Sequence, residues 1–168
     1  MINKKEFSSN ASLKEAKDYL RENWDKGGAI CPCCTQVVKL YHRPISSSMA
    51  HALILIYKYL DNHPDMEWVH MNNYLNTLDL PLPVKSGDNA KLRYWGLIEE
   101  KKEMREDTSK RAGYWKLTEL GRQFVEGKTG VQQYAKIFGS KCYGLAGEHI
   151  GIEDALGKKF NYKELMEL

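Results

Sequence analysis

The stretch from residue 85 to residue 127, KSGDNAKLRYWGLIEEKKEMREDTSKRAGYWKLTELGRQFVEG, constrains the fold more than any other part of this sequence. It opens on polar, cap-forming residues and continues as a helical run. That run stops at Trp95-Gly96-Leu97-Ile98, because glycine lets a chain leave a helix through a left-handed turn. Leu97 and Ile98 start a charged strand expected over residues 97–104. A polar tip over residues 105–113 leads into a second strand over residues 114–117, and Thr118 is placed to cap another helix. A helix, two strands joined at a polar tip, and a helix predict an α+β fold.

The rest of the chain supplies elements that fit around this stretch. Residues 1–11 read as frayed. Ser12-Leu-Lys-Glu15 is a capping box, and Leu13, Ala16, Leu20 and Trp24 follow at helical spacing until Gly27-Gly28. Ser46-Ser47-Ser48 caps a longer helix whose apolar positions, Met49, Leu53, Ile56 and Leu60, mark it as the central helix of the core. His51 lies on that helix and reads as a core or boundary residue. His63-Pro64 closes it. Residues 67–70 read as a short strand. Residues 71–80 read as a short helix with Tyr74, Leu75 and Leu78 inward, and Pro81 and Pro83 force a loop after it. Beyond Gly127, Val131–Phe138 and residues 149–152 read as strands of a small hairpin, with Gly139, Gly144 and Gly147 between them. Residues 153–168 read as two short helices broken at Gly157.

The four cysteines are Cys31, Cys33, Cys34 and Cys142. Three sit in AICPCCTQVVKLYHRPI, where residues 29–31 and 36–41 are expected to pair as a hairpin with the cysteines at its tip. Cys31 and Cys34, two residues apart in a tight turn, can reach one ion while turn amides face the sulfurs, which is the form of a zinc knuckle. A closed structural zinc site takes about four ligands. Cys33, His42, Cys142, His149 or a second copy of the hairpin across a homodimer are candidates for the rest. The alternative is a tight turn with unligated thiols.

Leu92-Arg-Tyr-Trp-Gly96-Leu-Ile and Tyr114-Trp-Lys-Leu-Thr118-Glu-Leu-Gly121 resemble the Leu-x-x-x-Gly-Leu-Ile and Leu-Thr-x-x-Gly signatures of winged helix-turn-helix proteins of the MarR and PadR type. The resemblance covers about a quarter of the chain. It implies a winged helix-turn-helix core over residues 45–128. Residues 1–44 would add an N-terminal helix and the cysteine-tipped β-hairpin, and residues 129–168 a small C-terminal α/β extension. The whole chain, with its Cys-Pro-Cys-Cys hairpin and its Asp154-Ala-Leu-Gly tail, also resembles proteins of phages and prophages, which implies a viral origin.

In such a core, residues 86–95 would be the recognition helix and the strand pair the wing. Lys85, Ser86, Asn89, Lys91 and Arg93 on the helix, with Lys110 and Arg111 at the wing tip, are then the candidate contacts to double-stranded DNA. Asn89 suits adenine and Arg93 guanine, provided both point outward. Between residues 85 and 116 there are nine basic and six acidic residues, a small excess, and the net charge of the whole chain is only +3. That charge permits nucleic-acid binding and argues against a DNA mimic. The sequence holds no phosphate-cradling glycine loop, His-Glu-x-x-His or nucleophile elbow, so an enzyme is not expected. No apolar run spans a bilayer, no membrane partner is expected, and the start of the chain does not read as a signal peptide, which predicts a cytoplasmic protein. The leading expectation is a DNA-binding regulator. The rival is a phage protein that binds and inhibits a host defence or replication complex through protein contacts.

Overall fold

The structure, a computed structural model, describes residues 1–102 and 113–167. Its class is α+β, with six α-helices, two 3-10 segments and eight strands in small sheets among the described residues. The chain divides into two compact units, Met1–Arg43 with Ala135–Gly144, and Pro44–Tyr134 with Leu145–Leu168. Residues 135–144 lie in the first unit, and residues 129–134 and 145–168 in the second.

In the first unit, α1 (Leu13–Asn23) starts at the expected capping box. Ser12 Oγ accepts from the Glu15 amide (3.2 Å), and Glu15 Oε2 accepts from the Ser12 amide (2.6 Å). The two-residue strands β1 (Ala29–Ile30) and β2 (Val37–Val38) pair antiparallel, Ala29 with Val38 and Ile30 with Val37, as the hairpin reading expects. The N-terminal residues are not frayed. Asn3 bridges Ala29 in parallel, donating to Gly28 O and accepting from the Ile30 amide, each at 2.9 Å, while its side chain donates to Asn23 Oδ1. No periodic pattern announces a single bridging residue, so the sequence does not show it.

The strands β3 (Tyr41–Pro44), β7 (Val131–Phe138) and β8 (Lys141–Ile150) form a sheet in the order β3-β7-β8. Of these, Tyr41–Arg43 and Ala135–Gly144 belong to the first unit. Gly139 and Ser140 join β7 to β8 with φ of 53° and 64°, the left-handed pair that a two-residue hairpin turn demands. Strand β8 is longer than residues 149–152 and runs straight through Gly144 and Gly147. Glycine is a weak strand former, but here the Tyr134 ring lies so close that a Cβ on Gly147 would stand 2.8 Å from its Cδ2. The ring covers the strand at a position where no side chain fits.

The second unit is built on α2 (Ser47–Asp61), capped by Ser46, whose Oγ accepts from the Met49 amide. Leu53, Ile54 and Ile56 are fully buried on it. It packs against α4 (Glu119–Val125), α5 (Ile152–Leu156), α6 (Tyr162–Glu167) and the 3-10 segments Leu82–Lys85 and Gly87–Trp95. His51 is buried beneath the Phe160 ring (centroids 4.4 Å apart), and burial pushes its imidazole below the ordinary value. A neutral His51 fits that apolar setting, and its buried Nδ1 has no hydrogen-bond partner among the described residues. Strands β4 (Val69–His70), β5 (Ile98–Glu100) and β6 (Tyr114–Leu117) form a sheet in the order β4-β6-β5, with both pairs antiparallel. Between β4 and the 3-10 segments lies α3 (Met71–Thr77), with Leu75 fully buried and Tyr74 and Leu78 half-buried.

One junction ties these pieces together. Gly96 leaves the Gly87–Trp95 segment with a left-handed φ of 71°. Thr118 then closes on it: its hydroxyl donates to Gly96 O (2.6 Å) and lies 3.1 Å from Leu97 O, and its amide donates to Leu97 O (3.1 Å). The same hydroxyl caps α4 by accepting from the Gly121 amide (2.9 Å). Gly121 packs so tightly on Leu97 that a Cβ there would lie 2.0 Å from the Leu97 carbonyl oxygen. Gly121→Ala is therefore expected to destabilise by roughly 1–3 kcal/mol or more through overpacking. Thr118→Ala is expected to lose about 1 kcal/mol of capping. Urea unfolding of the two variants measures both, and the alanine at 121 should be the more damaging.

Candidate functional site

The segment Gly87–Trp95 is wound as a 3-10 helix, longer than the three or four residues usual for that form. A period of three places side chains i and i+3 directly above one another. Asn89, Leu92 and Trp95 accordingly form one buried stripe. Trp95 Nε1 donates to Gln132 O (2.7 Å). Asn89 is fully buried: its Nδ2 donates to Val84 O (2.7 Å), and its Oδ1 has no hydrogen-bond partner among the described residues. Asn89 thus does not point outward and cannot read a base edge. The sequence assignment assumed an α-helix, in which the inward face was ambiguous, and a period of three settles it.

Lys91 and Arg93 lie on the outer rows of this segment. Asp88 and Lys91 stack at i, i+3 and pair at 2.6 Å. Arg93 is exposed, its guanidinium lying 4.9 Å from the Tyr94 ring centre and 5.9 Å from that of Trp115, with Nη1 donating to Ala90 O (3.3 Å). Ser86 spends its oxygen on the start of the segment, accepting from the Asp88 amide (3.2 Å). Lys85 is half-buried at the end of the preceding 3-10 turn. Lys110 and Arg111 lie outside the described residues, as does most of the tip expected between the two strands. Of the expected DNA contacts, Lys91 and Arg93 lie on the Gly87–Trp95 segment, Ser86 caps it and Lys85 ends the 3-10 turn before it.

Acidic neighbours engage several cations of the second unit besides Lys91. Lys116 meets Glu67 (3.2 Å) and Glu99 (3.7 Å), and Arg122 meets Asp61 (3.3 Å). Lys128 meets Glu126 (2.6 Å). These bonds hold the Lys116 and Lys128 ammonium groups above, and the Glu126 carboxyl below, their ordinary ranges.

The first unit carries cations on one sheet that the motif reading did not include. On and beside β3, Lys39 Nζ lies 5.2 Å and the Arg43 guanidinium 5.3 Å from the centre of the Tyr41 ring. Lys136 and Lys141 lie on the two adjoining strands. Among the described residues no carboxylate is ion-paired with any of these four cations. A signal was present in the sequence: residues 26–60 and 127–147 contain no Asp or Glu. The sheet order brings those two distant acid-free stretches side by side.

At the hairpin tip, the Cys31 amide donates to Gln36 O (2.8 Å) and the Thr35 amide to Cys31 O (2.9 Å), with Thr35 in the left-handed region (φ 61°). The Cys31 thiol is held below its ordinary value, first by the backbone amide of Cys34 and then by that of Cys33, with the Cys34 and Cys33 thiols adding to the effect. The turn amides thus act on the Cys31 sulfur, an arrangement open to both a knuckle and a tight turn with unligated thiols. Cys33 is exposed at the tip. The other candidate ligands are not gathered there, since among the described residues no group of three or more His, Cys, Asp and Glu is disposed to hold a metal. Cys142 is half-buried, its Sγ 3.5 Å from Gly144 O; His42 lies in β3 and His149 in β8. The donors present suit a soft or borderline cation such as zinc held by two thiolates, with the remaining positions filled from outside the described residues or by a second hairpin. Growth with zinc and purification without chelator are expected to give about half a zinc ion per chain by elemental analysis if two hairpins share one ion. Cys31→Ser with Cys34→Ser should abolish it, whereas Cys142→Ser should not.

No helix among the described residues is long and apolar enough to cross a membrane. Protein-family models, curated proteins and solved structures give no match to this chain.

Proposed function

We propose that the second unit is a winged helix-turn-helix module and that the protein binds double-stranded DNA as a phage-derived transcriptional regulator. What supports the fold reading is the element order. Helix α2, strand β4, helix α3, the 3-10 segments, strands β5 and β6 and helix α4 run in sequence, with β6 between β4 and β5. On that reading Gly87–Trp95 stands for the recognition helix, and the strand pair β5 and β6 for the wing. The observation that carries the functional reading is Arg93, an exposed guanidinium on the outer row of that segment that rests near the Tyr94 and Trp115 rings and Ala90 O. A planar fork of donors in one orientation is what guanine recognition requires. A zinc-bearing hairpin would act as a clip, and zinc shared between two copies would make the regulator a homodimer.

A second reading has its own observation. The carboxylates that already occupy Lys91, Lys116 and Arg122 reduce what this unit can offer to phosphate. Leu82, 83% exposed just ahead of the segment, suits a protein partner. On that reading the same surface binds and blocks a host defence or replication complex.

Fluorescence anisotropy with a labelled random-sequence duplex at low salt separates the two. DNA binding predicts a saturable signal whose affinity falls as salt rises, because each neutralised phosphate releases counterions. Arg93→Ala should then weaken binding to the preferred sequence by about tenfold or more, the loss of roughly 1–3 kcal/mol expected of one base-reading pair. Absence of any affinity at low salt overturns the DNA reading. Stoichiometric capture of one host protein in its place supports the second.

A further inference from the structure

We propose that the acid-free sheet of the first unit, carrying Lys39, Arg43, Lys136 and Lys141, is a second and sequence-independent contact surface for the backbone of duplex DNA. This inference rests on the reading of the protein as a DNA binder, but it assigns part of the binding to residues outside the winged-helix signature.

Three observations carry it. First, the charge is of one sign. Strand β3, the outer end of β7 and the start of β8 hold lysine and arginine and no carboxylate, because the sheet joins residues from two acid-free stretches. The acids of this unit, Glu6, Glu15, Asp18, Glu22 and Asp25, fall in and around α1, outside those stretches. A cluster of cations with no internal counter-charge repels itself and is relieved by an outside anion. Second, the cations are accessible. Arg43 and Lys141 are exposed, Lys39 and Lys136 half-buried, and none of the four has a carboxylate partner among the described residues. They differ in this from Lys91, Lys116 and Arg122.

Third, the rings nearby pack on side chains of this chain, while Tyr41 and Tyr143 keep 40% and 46% of their surface exposed. Single-strand binders combine a basic groove with rings on which successive bases stack. Here the Tyr41 ring has Lys39 and Arg43 against it at 5.2 and 5.3 Å. Phe138 and Tyr143 pack on Trp24, with centroids 4.6 and 4.9 Å away. Cations without a carboxylate partner fit phosphate contact along the duplex backbone of the proposed function, which positions a protein without reading sequence, and the exposed rings make a single strand the alternative that the test separates.

The test is the salt dependence of binding to a random-sequence duplex, for the full chain and three variants. Each phosphate contact contributes about 0.9 to the slope of log K against log salt. Arg43→Ala with Lys141→Ala, both exposed, should lower that slope by about 2 and weaken binding at low salt by tenfold or more, equally for every duplex sequence. Arg43→Lys, which keeps the charge, should bind as the parent chain does. Lys91→Ala with Arg93→Ala should instead lose discrimination between sequences. Circular dichroism melting confirms that each variant is folded. An unchanged slope in the Arg43/Lys141 variant, with binding lost in the Lys91/Arg93 variant, overturns this inference and leaves the winged-helix reading standing. Tighter binding to a single-stranded oligothymidine than to duplex overturns the duplex assignment. Absence of binding by the parent chain overturns both.

Discussion

The second unit depends on the contact between Gly96-Leu97 and Thr118-Gly121. One hydroxyl, that of Thr118, bonds to the chain leaving the 3-10 segment and caps the helix after the strands. One absent side chain, at Gly121, lets the α4 backbone reach the Leu97 carbonyl. The β5 and β6 strands are joined at their far end by residues outside the description, so this junction fixes their near end. Leu97 and Ile98 are thereby directed into the core, with relative exposures of 0% and 2%, and Phe124 and Val125 are fully buried on α4. The two short motifs that resemble a family signature are, physically, the two halves of one contact.

The 3-10 winding upstream of that junction decides the electrostatics of the outer surface. A period of three aligns Asn89 with Leu92 and Trp95, so a polar side chain enters the core and is held by Val84 O. The same period puts Asp88 over Lys91, which neutralises one of the few cations on that face. Arg93 falls on the third row, beside aromatic rings rather than a carboxylate. In the first unit, by contrast, sheet pairing concentrates cations without acids. A modest net charge of +3 is compatible with both arrangements, which is why the total says little about where a polyanion would dock.

Much of the fold was legible in the sequence where a residue has one physical job. Ser12 and Glu15 as a capping box, Ser46 and Thr118 as caps, Tyr114–Leu117 as a strand and Val131–Phe138 as another all stand in the structure as the pattern implies. What was not legible depended on tertiary contacts. Strand β8 crosses two glycines because Tyr134 covers one of them. Asn3 is held by a bridge to a strand more than twenty residues away. Asn89 looks like a base reader by residue type and position, and only the winding of its segment shows that it is buried. The acid-free surface escaped notice for a related reason: its halves are far apart in sequence and meet only through the order β3-β7-β8. The cysteine hairpin was legible as a turn with amides directed at Cys31, but two cysteines supply only two of the about four ligands that a closed structural zinc site takes.

The central claim, that this chain meets duplex DNA through an Arg93-bearing segment and an acid-free sheet, is tested most directly by amide chemical-shift mapping of the isotope-labelled protein during titration with a short duplex. The account predicts saturable, salt-sensitive shifts that cluster at residues 39–43, 136–141 and 85–95. Shifts confined to the cysteine hairpin or to the C-terminal helices, or no shifts at low salt, would contradict it.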